Sequence, residues 1–321
     1  MNYKIEIQPA GVHFQSENNL LDDALEQSIP LEHSCKTGEC GACSAEVISG
    51  KIENEHGEIV NTGAILTCKS KALSDSILKA NYYPELAHLK LQTLPCKVEN
   101  IEFLTEDIVV IKLRFPPTAK FNFLPGQYVD LSFKGVKRSY SIANAKQLSS
   151  GLELHIRKVP NGKMSEAVFS GLKVNQLMRI EGPKGTFFVR ENDKPLILLA
   201  GGTGIAPIKA MVDELLFNQD KRDVYIYWGM NSSNSFYLKE LDALALSNAN
   251  IHYVPVLSGD EKWDGRMGFV HQAVCDDFDS LSEYQVYACG SPLMINAAKE
   301  SFFEKQLPKE QFFSDAFTPA K

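Results

Sequence analysis

The chain has 321 residues, 44% of them hydrophobic and 23% charged, which is the composition of ordinary globular domains. A net charge of −7 argues against nucleic acid and anionic membrane surfaces as partners. No stretch approaches the roughly 20 apolar residues that a membrane helix needs. The odd count of seven cysteines and the lack of a signal-peptide pattern argue against a disulfide framework, so a reducing, cytoplasmic location is expected.

Such a length predicts two or three domains, each with its own core. The opening "MNYKIEIQPAG" alternates Tyr3, Ile5 and Ile7 with polar residues, the period of a strand, and "NNLLDDALEQS" has the pattern of an amphipathic helix. Residues 1–90 carry seven lysines and no arginine against thirteen carboxylates, a balance of −6. That excess reads either as a solvated surface or as a docking face for a basic partner. "NYYPELAHLKLQTLP" holds Pro84 and Pro95 and shows no clear period, so a linker is expected over 89–95, closing a first domain at 1–88. From Cys96 to Arg190, "QYVDLSF" and "LELHIRKV" alternate between turns such as "VPNGK" and "GPKG", which predicts a small antiparallel β-barrel over 96–190. Beyond residue 191 the apolar runs "PLILLA", "VYIYWG", "IHYVPVL" and "YQVYACG" alternate with helical patterns; Ile208, Met211, Val212, Leu215 and Leu216 share one face. Buried strands alternating with amphipathic helices predict a parallel α/β domain over 191–321. The expected fold is therefore multidomain, α+β followed by α/β.

The densest chemical signal is "SCKTGECGACSAEV". Cys35, Cys40 and Cys43 follow the spacing C-x4-C-x2-C, and Cys68 lies beyond 24 intervening residues. Structural zinc with four thiolates usually uses paired C-x-x-C knuckles, whereas this spacing is the plant-type [2Fe–2S] arrangement. Gly38, Gly41 and Ala42 are small where the backbone must come close to a cluster. On these residues the segment resembles ferredoxin, which implies a β-grasp fold with the four cysteines as ligands. The short gap from Cys43 to Cys68 implies a trimmed hairpin. Cys96 and Cys275 fall outside the pattern and are expected to be buried structural thiols.

In the barrel segment, "RSYS" (138–141) follows an alternating strand and "GKMS" (162–165) precedes a helical stretch. An arginine pairs with pyrophosphate, an aromatic lies on a flavin ring, and a helix start presents N–H groups to phosphate. Together these motifs resemble the ferredoxin–NADP reductase superfamily. The resemblance implies that Arg138, Ser139, Tyr140 and Ser141 bind FAD, with Arg138 on the pyrophosphate, Tyr140 on the isoalloxazine and Ser141 near N5. It also implies that His155, Ile156 and Arg157 line the ribityl and diphosphate side. Gly162, Lys163, Met164 and Ser165 would then serve the phosphates, with the hydroxyl of Ser165 among the donors.

"LILLAGGTGIAP" (196–207) runs from an apolar strand into glycines and a proline-started helix, a phosphate loop without the full G-x-G-x-x-G. Within the resemblance, Gly201, Gly202, Thr203, Gly204 and Pro207 form the pyridine-nucleotide loop. Cys289 and Gly290 of "YACGSP" lie beside the nicotinamide, and Phe317 and Asp315 of "FFSDAF" lie by the flavin. Ser141, Cys289 and Phe317 are the expected catalytic set. After "YIYWG" come Met230, Asn231, Ser232 and Ser233, with no basic residue before Lys239, so NADH is expected over NADPH.

Nicotinamide gives electrons in pairs, an iron–sulfur cluster takes them singly, and a flavin can stand between them. The expected path is NADH, FAD, [2Fe–2S], then a protein acceptor. Two families share this module order: reductase components of aromatic-ring and alkane oxygenases, and CDP-6-deoxy-Δ3,4-glucoseen reductases, which serve a pyridoxamine-phosphate-dependent dehydrase. The segments "NYYPEL", "RSYSIANA", "GPKGTFFVRE", "GFVHQAV" and "FFSDAF" resemble the second family more.

Overall fold

The computed structural model describes residues 2–259 and 263–317, and the chain divides into two compact units at the junction of Lys90 and Leu91. In the first unit, β1 (Tyr3–Gln8) and β2 (Val12–Ser16) pair as an antiparallel hairpin. Alternation sends Ile5 and Ile7 inward, where both are wholly buried. The helix α1 (Leu20–Glu26) starts at Asn19, whose side chain accepts from the N–H groups of Leu21 and Asp22 at 3.1 Å each. Its face of Leu20, Leu21 and Ala24 enters the same core as Ile5 and Ile7.

The strands β3 (Ser44–Ser49), β4 (Ile52–Glu53), β5 (Ile59–Val60), β6 (Gly63–Leu66), β7 (Lys71–Ala72) and β8 (Ser76–Lys79) complete the unit. The main sheet runs β2-β1-β8-β3-β6, with β1 and β8 parallel, and a small sheet runs β5-β4-β7. This is the expected β-grasp.

The second unit begins with a barrel built from β9 (Gln92–Phe103), β10 (Ile108–Arg114), β11 (Tyr128–Phe133), β12 (Val136–Ser141), β13 (Leu152–Arg157), the helix α2 (Lys163–Phe169) and β14 (Leu177–Lys184). The antiparallel order is β12-β11-β14-β9-β10-β13. A bridge between Ile142 and Leu154 brings the two edges together, so the barrel is nearly closed. Its first strand starts at Gln92, inside the stretch read as a linker, because Gln92–Lys97 pair with Gly182–Leu177 of β14. Closing the sheet outweighs the proline at 95, which sits on the barrel without breaking it.

The rest of the unit is a parallel sheet flanked by helices: β15 (Leu196–Gly201), α3 (Ile205–Phe217), β16 (Val224–Met230), α4 (Glu240–Ser247), β17 (Ile251–Leu257), β18 (Arg266–Met267), α5 (Val270–Asp277), β19 (Gln285–Gly290), α6 (Pro292–Glu304) and β20 (Phe312–Ala316). The order β18-β17-β16-β15-β19-β20 reverses direction between β15 and β19. Crevices at such a switch point, outside the carboxyl ends of the strands, are where open α/β sheets bind ligands. Residues 196–200 of β15 are fully buried because the strand serves two cores: Leu196, Leu198 and Ala200 face the α3 side, and Ile197 and Leu199 face α5 and α6. The helix α3 buries Ile208, Met211, Val212 and Leu215, the face that the sequence period marks. Among the described residues no helix is long and apolar enough to cross a membrane.

Candidate functional site

The cysteine loop connects α1 to β3. Lys36, Gly38 and Gly41 take positive φ values of 56°, 86° and 70°, so the chain coils tightly enough to gather its own sulfurs. Cys68 arrives from a single helical turn after β6 and brings its sulfur to 3.0 Å from that of Cys43. Cys35 and Cys40 form the other pair. A shared hydrogen bond holds the Cys35 thiol down to about 4 and pushes its partner up. In the Cys43–Cys68 pair the same sharing holds Cys43 at about 7 and raises Cys68. The Thr37 N–H donates to the sulfur of Cys35 at 3.4 Å, and the Ala42 N–H serves Cys40.

Among the described residues no three ligand side chains converge on one ion position; the thiols meet as two touching pairs. Two pairs of sulfurs, one thiol of each pair held down and with backbone N–H groups aimed at Cys35 and Cys40, are a donor set that fits two irons sharing sulfide.

In the barrel, the alternation of β12 separates the motif into two faces. Tyr140 packs against the barrel core on one face, together with Val136, and Arg138 falls in the same register. The opposite face carries Ser139 and Ser141. The hydroxyl of Ser139 donates to Asp130 at 2.6 Å and is thereby used within the protein. The hydroxyl of Ser141 is buried and has no hydrogen-bond partner among the described residues. An orphaned buried hydroxyl is costly, of order 1–3 kcal/mol, and a polar ligand edge at that position would satisfy it. That atom is the observation that fits a flavin. Burial pushes the Tyr140 phenol up to about 12, so it stays a neutral, largely apolar surface.

Several residues expected to line the FAD do not present their side chains. His155 is a strand residue with a side chain wholly removed from solvent and both ring nitrogens engaged by Tyr237 and Glu153. Ile156 belongs to the barrel core, as does Met164 of the "GKMS" turn. The hydroxyl of Ser165 donates to the carbonyl oxygens of Gly162 and Val159 and accepts from the Val159 N–H, so it closes its own loop. These positions retain only main-chain atoms for a ligand; at Lys163–Ser165 these are the N–H groups that begin α2. Arg157 is turned outward, held by Asp107 at 2.9 Å. Its Nη1 lies 3.5 Å from where a Cβ on Gly202 would stand.

That proximity places Arg157 at the glycine turn that follows β15. Gly201 ends β15, residues 202–204 make one tight turn, and Pro207 is buried in the first turn of α3. A Cβ on Gly204 would stand 2.2 Å from the Cys289 carbonyl oxygen, and one on Gly290 would stand 3.2 Å from the Gly201 Cα. The tips of β15 and β19 therefore touch backbone to backbone. A Cβ on Gly202, whose φ is 58°, would meet only Arg157 among the described residues, so the turn opens a cradle that suits a pyrophosphate. Trp228 anchors the loop by donating its Nε1–H to the Gly202 carbonyl at 2.9 Å. Phe317 joins the same tip, its N–H donating to the Gly290 carbonyl at 2.8 Å. Cys289 faces inward with no exposed surface, and burial holds its thiol protonated. Asp315 is buried beside it across the β19–β20 ladder.

The remaining thiols differ from each other. Cys96 is buried in the barrel, as expected, whereas Cys275 is half-buried, because α5 turns it toward the groove along α6. The anchoring roles of Trp228 and Tyr237 left no mark in the sequence, where both read as ordinary apolar positions.

Comparison with known proteins places these observations in context. Residues 5–73 match a 2Fe-2S iron-sulfur cluster binding domain, residues 95–189 an oxidoreductase FAD-binding domain, and residues 198–300 an oxidoreductase NAD-binding domain. The chain is 51% identical to the CDP-6-deoxy-L-threo-D-glycero-4-hexulose-3-dehydrase reductase of Yersinia pestis over 100% of both chains. It is 30% identical to the propane 2-monooxygenase reductase component of Mycolicibacterium smegmatis, over 99% of this chain and 97% of that one. Among solved structures it is similar to an Amycolatopsis cytochrome P450 reductase, with a TM-score of 0.79 and 26% identity over 99% of this chain and 100% of that one.

Proposed function

The chain belongs to the family of NAD(P)H-dependent reductases that join a 2Fe-2S domain to FAD- and NAD-binding domains, and from this we propose that it carries electrons from NADH to a pyridoxamine-phosphate-dependent dehydrase of 3,6-dideoxyhexose synthesis. The observation that carries the choice of acceptor is the identity of 51% along the whole length of the Yersinia reductase, against 30% for the oxygenase component. The second reading, a reductase for an aromatic-ring or alkane oxygenase, rests on that more distant match.

Bound FAD supplies the exchange between a hydride donor and a one-electron cluster. The residues prepare each end of that exchange. With FAD bound, the Ser141 hydroxyl would hold the flavin edge, Tyr140 would pack on the ring and Arg138 would take the pyrophosphate. Gly201, Gly202 and Gly204 let the backbone approach the nucleotide, and Arg157 balances its phosphate charge. Gly290 would leave room for the nicotinamide, the protonated Cys289 would back it, and Phe317 would cover the site. Cys35, Cys40, Cys43 and Cys68 hold the irons. The neutral run Asn231, Ser232 and Ser233 after β16 supports NADH, since a 2′-phosphate finds no cation before Lys239.

The test is a reconstitution without oxygen. Purified protein, NADH, the dehydrase and CDP-4-keto-6-deoxyglucose should yield reduced sugar only when every component is present. Reduction of ferricyanide by NADH with no sugar product would reject the dehydrase as acceptor. NADPH outpacing NADH in kcat/KM would reject the nucleotide preference.

A further inference from the structure

We infer that Tyr237 and Trp228 are positioning residues, which tie the nucleotide loop through His155 to β13, the barrel strand bridged to the end of β12, and so set the distance for hydride transfer. The inference rests on the reading of the Gly201–Gly204 turn as the nicotinamide-nucleotide loop.

The contacts form a continuous line. Glu153 and His155 project from the same face of β13. A carboxylate can only accept, so His155 Nε2 carries the proton and donates to Glu153 at 3.1 Å. Burial keeps the imidazole neutral, which leaves Nδ1 as an acceptor for the Tyr237 hydroxyl at 3.0 Å. The Tyr237 ring stands edge-on to Trp228, with centroids 5.1 Å apart. Trp228 donates to the carbonyl of Gly202 at 2.9 Å.

A second strut runs beside the first. Lys209, one turn into the helix that the glycine loop begins, donates to the Ala143 carbonyl at 3.2 Å and pairs with Glu153 at 3.4 Å and Asp213 at 2.9 Å. Ala143 lies two residues beyond Ser141. The loop and its helix are thus bound to the barrel at both ends, by groups buried well enough that none can leave without stranding a partner.

Hydride transfer is steep in distance, and a shift of about 1 Å at such a site costs on the order of a hundredfold in rate. A line of contacts that begins on β13 and ends on the loop carbonyl fixes that distance.

The test uses the full chain loaded with FAD and cluster, and compares Tyr237→Phe, Trp228→Phe and the double variant. Tyr237→Phe keeps the ring and removes one polar contact, whereas Trp228→Phe removes the indole N–H and also shrinks a fully buried side chain packed on Phe236 and Tyr237. Each single variant should slow the bleaching of flavin by NADH by about tenfold, with weaker NAD+ binding by calorimetry. Electron passage from photoreduced flavin to the cluster should stay at the wild-type rate. Because both contacts act through one line, the double variant should be no slower than the slower single. Unchanged bleaching in both singles, multiplied losses in the double variant, or an equal loss in flavin-to-cluster transfer would each overturn the inference. Wild-type protein that holds FAD but does not bind NAD+ would instead overturn the nucleotide reading beneath it.

Discussion

Glu153→Gln isolates the charge at the centre of the buried network. The Glu153 side chain is 14% exposed, and burial by itself would raise its carboxyl above the ordinary 4.5. The hydrogen bond from His155 and the charge of Lys209 outweigh that penalty and hold it down to about 2. A depression of that size is worth about 3 kcal/mol of stability at neutral pH. Glutamine still offers an oxygen to His155, which retains about 1 kcal/mol and leaves a net loss of about 2 kcal/mol. For a unit of this size the melting temperature should fall by about 4–8 °C. Both tryptophans of the chain, Trp228 and Trp263, lie in the second unit, so intrinsic fluorescence reports its unfolding alone. Since the folded carboxyl is depressed, its contribution is complete above the unfolded value of about 4.5 and is lost as pH falls through about 2. The gap between wild type and variant should therefore be full at pH 7 and shrink as the pH drops below about 4.5. Equal melting temperatures at pH 7, or a gap that persists unchanged down to the acid limit of the fold, would refute the assignment of that energy to the carboxylate.

Three other substitutions read the cofactor sites. Ser141→Ala removes a buried hydroxyl that has no partner among the described residues, so FAD-free protein should melt no lower than wild type. The FAD-loaded variant should be reduced by NADH at least about tenfold more slowly in stopped flow, at the cost of one hydrogen bond to the ring. Cys68→Ala breaks the Cys43 pair, and iron and sulfide content should fall to background while bound FAD and NADH-driven ferricyanide reduction persist. Gly204→Ala drives a methyl to within 2.2 Å of the Cys289 carbonyl, a backbone group that cannot rotate away. NAD+ affinity by calorimetry should fall by about tenfold or more, with FAD and iron content unchanged.

The parts of the site legible in the sequence are those whose chemistry is local. Cys35, Cys40 and Cys43 must sit on one tight loop to share a cluster, so their spacing is the signal, and Cys68 follows on the next hairpin. The glycine turn after a five-residue apolar run is likewise a local signal, a strand passing directly into a helix, although the contact its glycines allow with β19 is made by residues far along the chain. Period-2 patterning marked strands correctly in both units, and period 3.6 marked the buried face of α3.

Which face of each strand met the core was a different matter. Alternation along "LELHIRKV" separates His155 from Ile156, yet it does not say that His155 lies sealed beneath Tyr237 while Arg157 reaches the loop of another module. Those facts depend on residues more than forty positions away, brought close by barrel closure and by the parallel sheet. Met164, Ser165 and Cys289 belong with them: each stands in a motif, and each side chain is claimed by the protein interior. The sequence by itself determined the modules and their cofactor classes, and it singled out the four cysteines expected as ligands, because short-range geometry demands particular residues at particular spacings. Only the tertiary structure decided which side chains in those motifs face a ligand and which hold the modules together, because burial and hydrogen bonding across distant segments are properties of the packed chain.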